Sequence, residues 1–138
     1  MPKLDFNSVH SYSPQSEGIA LPVVLRHGAE AVDLLAFVDT GASNCLFQRE
    51  HGELPGFEIE SGQPKTFWTA TGRLETFGQL VTLEVLGLSV ESVVYFFADE
   101  RIQKNLLGRM GWLDRIRFGL IEYDRKVYLA SYDSDPHS

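Results

Sequence analysis

The chain has 138 residues, 43% of them hydrophobic and 22% charged, with a formal net charge of −7. This length and composition favour one globular domain with a real core. The acidic balance argues against nucleic-acid binding through a basic surface, and no run of about 20 apolar residues is present to span a membrane.

Residues 1–17 are rich in Ser, Asn, Pro and Gln and read as an N-terminal arm with little core of its own; they lack the apolar stretch of a secretion signal. Ile19 to Leu25 is a strand candidate in which Pro22 marks an edge or a bulge. His27 to Glu30 is turn-like, and Ala31 to Val38 is a second strand that pairs with the first as a hairpin. Cys45-Leu46-Phe47 is a short apolar return, and the Gly- and Pro-bearing stretch His51 to Gly62 reads as loop. Thr66 to Ala70 and Leu74 to Phe77 flank a turn at Thr71-Gly72-Arg73, a hairpin with a glycine at its bend. Gln79 to Leu86 alternates as a strand, and Ser89 to Phe97 is another, followed by a polar connection from Asp99 to Asn105. After Leu106-Leu107-Gly108-Arg109, the spacing of Met110, Leu113 and Ile116 predicts one short helix. Phe118 to Tyr123 and Lys126 to Leu129 form a closing hairpin around Asp124-Arg125, and residues 131–138 read as a flexible polar tail. Many short strands, glycine turns and one short C-terminal helix predict an all-β, barrel-like domain over residues 18–130.

Within this pattern the stretch Ala36 to Ser43 carries the chemistry. An apolar strand ends abruptly in Asp39-Thr40-Gly41. A carboxylate at the end of a core strand needs a reason, because charged groups are seldom buried unless paired. Thr40 adds a hydroxyl that can donate and accept, and Gly41 lets another chain approach closely.

In this order and spacing the chain resembles the retropepsin-like aspartic proteases, the single-domain retroviral, retrotransposon and bacterial type. The residues that carry the resemblance are the strand into Asp39-Thr40-Gly41-Ala42, the hairpin Thr69-Ala70-Thr71-Gly72 in the flap position, and Asn105-Leu106-Leu107-Gly108-Arg109. The resemblance implies a closed β-barrel subunit, a flap over a cleft, a homodimer and hydrolysis of a peptide or protein substrate. It implies that Asp39 is catalytic and that Thr40, Gly41 and Ala42 form the active-site loop. It further implies that Trp68 to Gly72 (Trp68, Thr69, Ala70, Thr71 and Gly72) and Leu106, Leu107 and Gly108 line the flap and cleft. Retroviral members commonly carry an acid after Asp-Thr-Gly-Ala that pairs with the Arg after Leu-Leu-Gly; here Ser43 and Asn44 stand in its place, so Arg109 must find another partner.

Aspartic proteolysis uses two carboxylates sharing one proton, because like charges about 3 Å apart cannot both ionise. One Asp-Thr-Gly is present, so a symmetric dimer would supply the second Asp39. A non-catalytic dimerisation or peptide-binding module of the same fold is the alternative, though a pure binding role has no need of that acid. Trp68 and Phe67 read either as substrate-touching flap residues or as a buried aromatic pair. The four histidines show no ligand spacing, so neither a metal nor another cofactor is expected. Ser43 lacks a nucleophile-elbow context. The single cysteine, Cys45, excludes an intramolecular disulfide, reads as a small core residue, and fits a cytoplasmic location.

Overall fold

The computed structural model describes residues 3–132. Its main strands follow from period-two alternation of apolar residues. In β2 (Ala20–His27) Leu21, Val23 and Leu25 point inward; in β3 (Glu30–Val38) Leu34 and Ala36 do the same. The two pair antiparallel along their whole length, from Ala20 opposite Phe37 to His27 opposite Glu30. β5 (Gln63–Thr69), β6 (Gly72–Val85) and β7 (Leu88–Phe97) form an antiparallel meander. β4 (Leu46–Phe47) and β8 (Leu106–Leu107) are two-residue strands. The sheet runs β2-β3-β8-β4-β7-β6-β5, and an additional β2–β6 pairing closes it into a barrel. Pro22 lies just outside the β2–β6 ladder, which spans Val23 to Arg26, so its missing N–H costs no pairing there. Phe47, Phe96, Leu83, Leu107 and Trp112 are among the large side chains wholly buried in the core.

Several expectations are corrected. The N-terminal arm contains a strand, β1 (Ser8–Ser11), paired antiparallel with β10 (Lys126–Ser131), which in turn pairs with β9 (Ile116–Ile121). Its polar composition conceals a half-buried edge strand, followed at once by Tyr12, which joins the core. Ser131 ends β10 rather than beginning a tail; residues 133–138 of that tail lie outside the described residues. The helix read over Met110 to Ile116 is a single 3-10 turn, Leu113–Arg115. Gly111 at φ +106 and Trp112 at φ −139 are incompatible with a helical start. The one α-helix among the described residues, α1 (Arg49–Glu53), lies at the start of the stretch read as loop, followed by a 3-10 turn at Ile59–Ser61. Arg49 pairs with Glu53 one turn on and with Glu60, tying these two pieces together. Finally, β6 runs unbroken through Gly78, because pairing with β7 continues from Thr76 opposite Phe97 to Val85 opposite Leu88. One strand therefore serves as both the return arm of the flap hairpin and a barrel wall.

Tyr12 is 9% exposed, and its hydroxyl is buried without a hydrogen-bond partner among the described residues. An unpaired buried hydroxyl carries a desolvation cost. Tyr12→Phe should therefore leave stability unchanged or raise it by about 1 kcal/mol, read as an upward shift of the urea midpoint at constant slope. A fall of that size would show that the hydroxyl is hydrogen-bonded in solution.

Candidate active site

Asp39 stands where β3 leaves the barrel. Its N–H donates to the Leu107 carbonyl at 2.9 Å, and its own carbonyl accepts from the Ala42 N–H at 3.2 Å. The Gly41 N–H donates to Asp39 Oδ1 at 2.9 Å, an Asx-type turn that aims the carboxylate and leaves Oδ2 uncommitted. Asp39 is half-buried, whereas Thr40 and Gly41 are exposed, so the loop presents its acid and its hydroxyl to an open face.

What holds this loop is β8. It inserts between β3 and β4, parallel to β3 with Val38 opposite Leu107, and antiparallel to β4 with Leu46 opposite Leu106. Beyond it the Arg109 N–H donates to the Ala42 carbonyl at 2.9 Å and the Met110 N–H to the Ser43 carbonyl at 2.8 Å. Gly108 sits between these contacts. A Cβ there would fall 2.1 Å from the Asn44 carbonyl oxygen and 2.9 Å from that of Ala42, both backbone atoms that cannot step aside. Leu107 is buried and Leu106 half-buried, and β8 pairs with the end of β3 that leads into the Asp39 loop.

The hairpin read with Gly72 at its bend is the β5–β6 turn. Thr69 pairs with Gly72, and Thr69 Oγ1 donates to the Gly72 carbonyl at 2.8 Å, closing the tip around Ala70 and Thr71. Thr69, Thr71 and Leu106 share the lining of one cavity of about 550 Å³ between the flap and the connection that precedes β8. Trp68 and Ala70 do not line it. Trp68 is 77% exposed and pairs with Arg73 on the outer face of the hairpin. Phe67 is the inward aromatic, with its ring 5.6 Å from that of Tyr95 and Lys65 Nζ lying over both rings. The two readings of this pair therefore divide, Phe67 inward and Trp68 in solvent.

Arg109 is exposed and makes no ion pair among the described residues; it borders two shallow depressions shared with Thr40, Ser43, Leu113 and Asp114. Asp114 is occupied elsewhere, accepting from the Gly111 N–H at 3.0 Å and facing Arg115 at 3.4 Å. Cys45 is fully buried under the loop, and burial pushes its thiol up to about 11, the state of an inert core residue.

One residue that matters escaped sequence reading. Asn105, 5% exposed, donates from Nδ2 to the Leu35 carbonyl at 2.9 Å. Its Oδ1 accepts from the Gln48 N–H at 3.0 Å and lies 3.1 Å from His51 Nδ1. One amide thus fastens β3, the start of α1 and β8. Its only sequence signal was its place beside Leu106-Leu107.

The chain belongs to the aspartyl protease family: the model of that family, described as Aspartyl protease, matches residues 24–124. In fold it is retropepsin-like. Among solved structures it is similar to the EIAV protease complexed with the inhibitor HBY-793, a retroviral protease, with a TM-score of 0.55, 19% identity, and coverage of 71% of this chain and 88% of that one. No curated protein matches it.

Asn105→Leu keeps the volume but leaves the Leu35 carbonyl and the Gln48 N–H unpaired inside the barrel. Stability should fall by about 2–4 kcal/mol, measured by urea denaturation. A loss below about 0.5 kcal/mol, the scale of an ordinary surface change, would show that the clamp is dispensable.

Proposed function

We propose that the protein is an aspartic endopeptidase, working as a homodimer in which two Asp39 carboxylates activate one water. The observation that carries the reading is the Asp39 turn itself: a carboxylate aimed by the Gly41 N–H, at the end of a core strand braced by β8. A loop so constrained holds a reacting group with little reorganisation. Among the described residues no second carboxylate is free beside it, since Asp114 is engaged by Gly111 and Arg115. A second copy is therefore the source of the partner acid.

In this mechanism one carboxylate takes a proton from the water while the other, protonated, donates to the scissile carbonyl oxygen; the two then exchange roles as the amine leaves. Thr40 hydroxyls brace the two loops across the axis, Gly41 admits the substrate backbone, and the Thr69–Gly72 tip closes over the cleft. Ala42, Leu106, Leu107 and Gly108 form the support and walls. A cytoplasmic setting goes with this reading, since the one thiol is a buried core residue and forms no bridge.

Asp39→Asn is nearly isosteric but cannot act as base. It should lower the cleavage rate at least about a thousandfold while leaving the thermal midpoint within a few degrees, as judged by a fluorogenic peptide assay and a melting curve. Wild-type turnover by that variant would remove Asp39 from the reaction.

A shared site also requires that specific activity fall on dilution below the dimer dissociation constant. Activity per milligram, followed against sedimentation from micromolar to nanomolar protein, should decline in step with the dimer. Full activity from a sedimenting monomer would exclude the shared site.

A further inference from the structure

The flap cavity has a composition that the catalytic chemistry does not require. Its floor is apolar, made by Leu46, Leu74, Phe97, Ile102 and Leu106. Arg101 and Lys104 stand at its wall, and no carboxylate lines it, although the chain as a whole carries a net charge of −7. The two cations are not equivalent. Arg101 is spent on Asp99: Nε donates to Oδ1 at 3.0 Å and Nη2 to Oδ2 at 2.9 Å, a forked pair that holds the Asp99 carboxyl down to about 2. Glu100 is exposed and does not line the cavity. Lys104 makes no hydrogen bond or ion pair among the described residues.

The wall that carries Lys104 is pre-formed. The Arg101 N–H donates to Asp99 Oδ1 at 2.9 Å, and the Ile102 N–H to the Asp99 carbonyl at 3.2 Å. At its other end the buried Asn105 side chain and the bond from the Phe37 N–H to the Asn105 carbonyl, 2.9 Å, anchor the connection to β3. An uncommitted ammonium on a held backbone, above an apolar floor, suits a ligand group with an apolar stem and an anionic end.

We propose that this cavity is a specificity subsite for a glutamate side chain of the substrate, its methylenes on the apolar floor and its carboxylate on Lys104. This rests on the peptidase reading above and adds the class of side chain that the cleft selects. A neutral glutamine of the same shape loses the charge-assisted bond, and a leucine makes none with Lys104, which is exposed.

The test is a positional-scanning peptide library, cleaved by the wild-type chain and by Lys104→Ala, Lys104→Glu and Lys104→Arg. In parallel, binding of the same labelled peptides to Asp39→Asn, with and without each Lys104 change, is read by fluorescence anisotropy. At one position glutamate should be favoured over glutamine by about tenfold in kcat/KM, the scale of one charge-assisted hydrogen bond. Lys104→Arg should keep that preference, Lys104→Ala erase it, and Lys104→Glu turn it toward lysine. If the wild type cleaves peptides but shows no glutamate preference, or keeps one in Lys104→Glu, the subsite is overturned and the peptidase reading stands. If nothing is cleaved while Asp39→Asn binds glutamate peptides in a Lys104-dependent way, the subsite stands and the peptidase reading falls. Neither cleavage nor binding of any peptide overturns both.

Discussion

The rest of the molecule depends on a two-residue strand. Leu106 and Leu107 enter between β3 and β4 and take up backbone hydrogen bonds that the Asp39 loop would otherwise leave open. N–H groups alternate sides along β3, so that of Val38 donates to the Ile19 carbonyl on the β2 side while that of Asp39 faces away from β2. The Asp39 N–H is satisfied by Leu107, and the carbonyls of Ala42 and Ser43 by Arg109 and Met110. A loop must present an acid to solvent and yet stay still. Here that is achieved by lacing its main chain to a segment nearly seventy positions away, rather than by burying its side chains.

That arrangement places an unusual demand on packing. The laced strands lie so close that position 108 tolerates no Cβ, since two carbonyl oxygens occupy its space. Asn105 sits on the other side of β8 and uses three of its four hydrogen-bonding capacities within the barrel. An amide buried this way is a high-stakes element, stabilising when complete and costly when any partner is removed. The same clamp holds the connection that lines the cavity beside the β5–β6 hairpin, so support of the Asp39 loop and the shape of that cavity share a single residue.

Electrostatics are arranged locally against the global balance. The chain is acidic overall, yet among the described residues two cations without an ion pair stand near the Asp39 loop and the hairpin tip, Arg109 beside the loop and Lys104 in the cavity under the hairpin. Two neighbouring acids are already paired: Asp114 with Gly111 and Arg115, Asp99 with Arg101. Exposed pairs of this kind contribute little to stability, and what they change is which charges remain available to a ligand.

Some of this was legible in the chain before any coordinates. The alternation from Gln79 to Leu86, the apolar run ending at Asp39, the hairpin with Gly72 at its bend and the Leu-Leu-Gly segment all follow from local pattern, because strand burial has period two and tight turns select their residues. The family, too, could be read from the order of those pieces. Other features depended on partners far away in sequence. Ser8–Ser11 is a strand only because β10 offers an edge, and polar composition gives no sign of that. The i, i+3, i+6 spacing of Met110, Leu113 and Ile116 imitates a helix, but Met110 instead bridges Asn44 and Gly111 takes a left-handed turn. Asn105, Lys104 and the inward turn of Phe67 gained their roles from the closing of the barrel. Periodicity reports which face of a segment is apolar, and only the tertiary structure decides what that face, and the polar residues between, will meet.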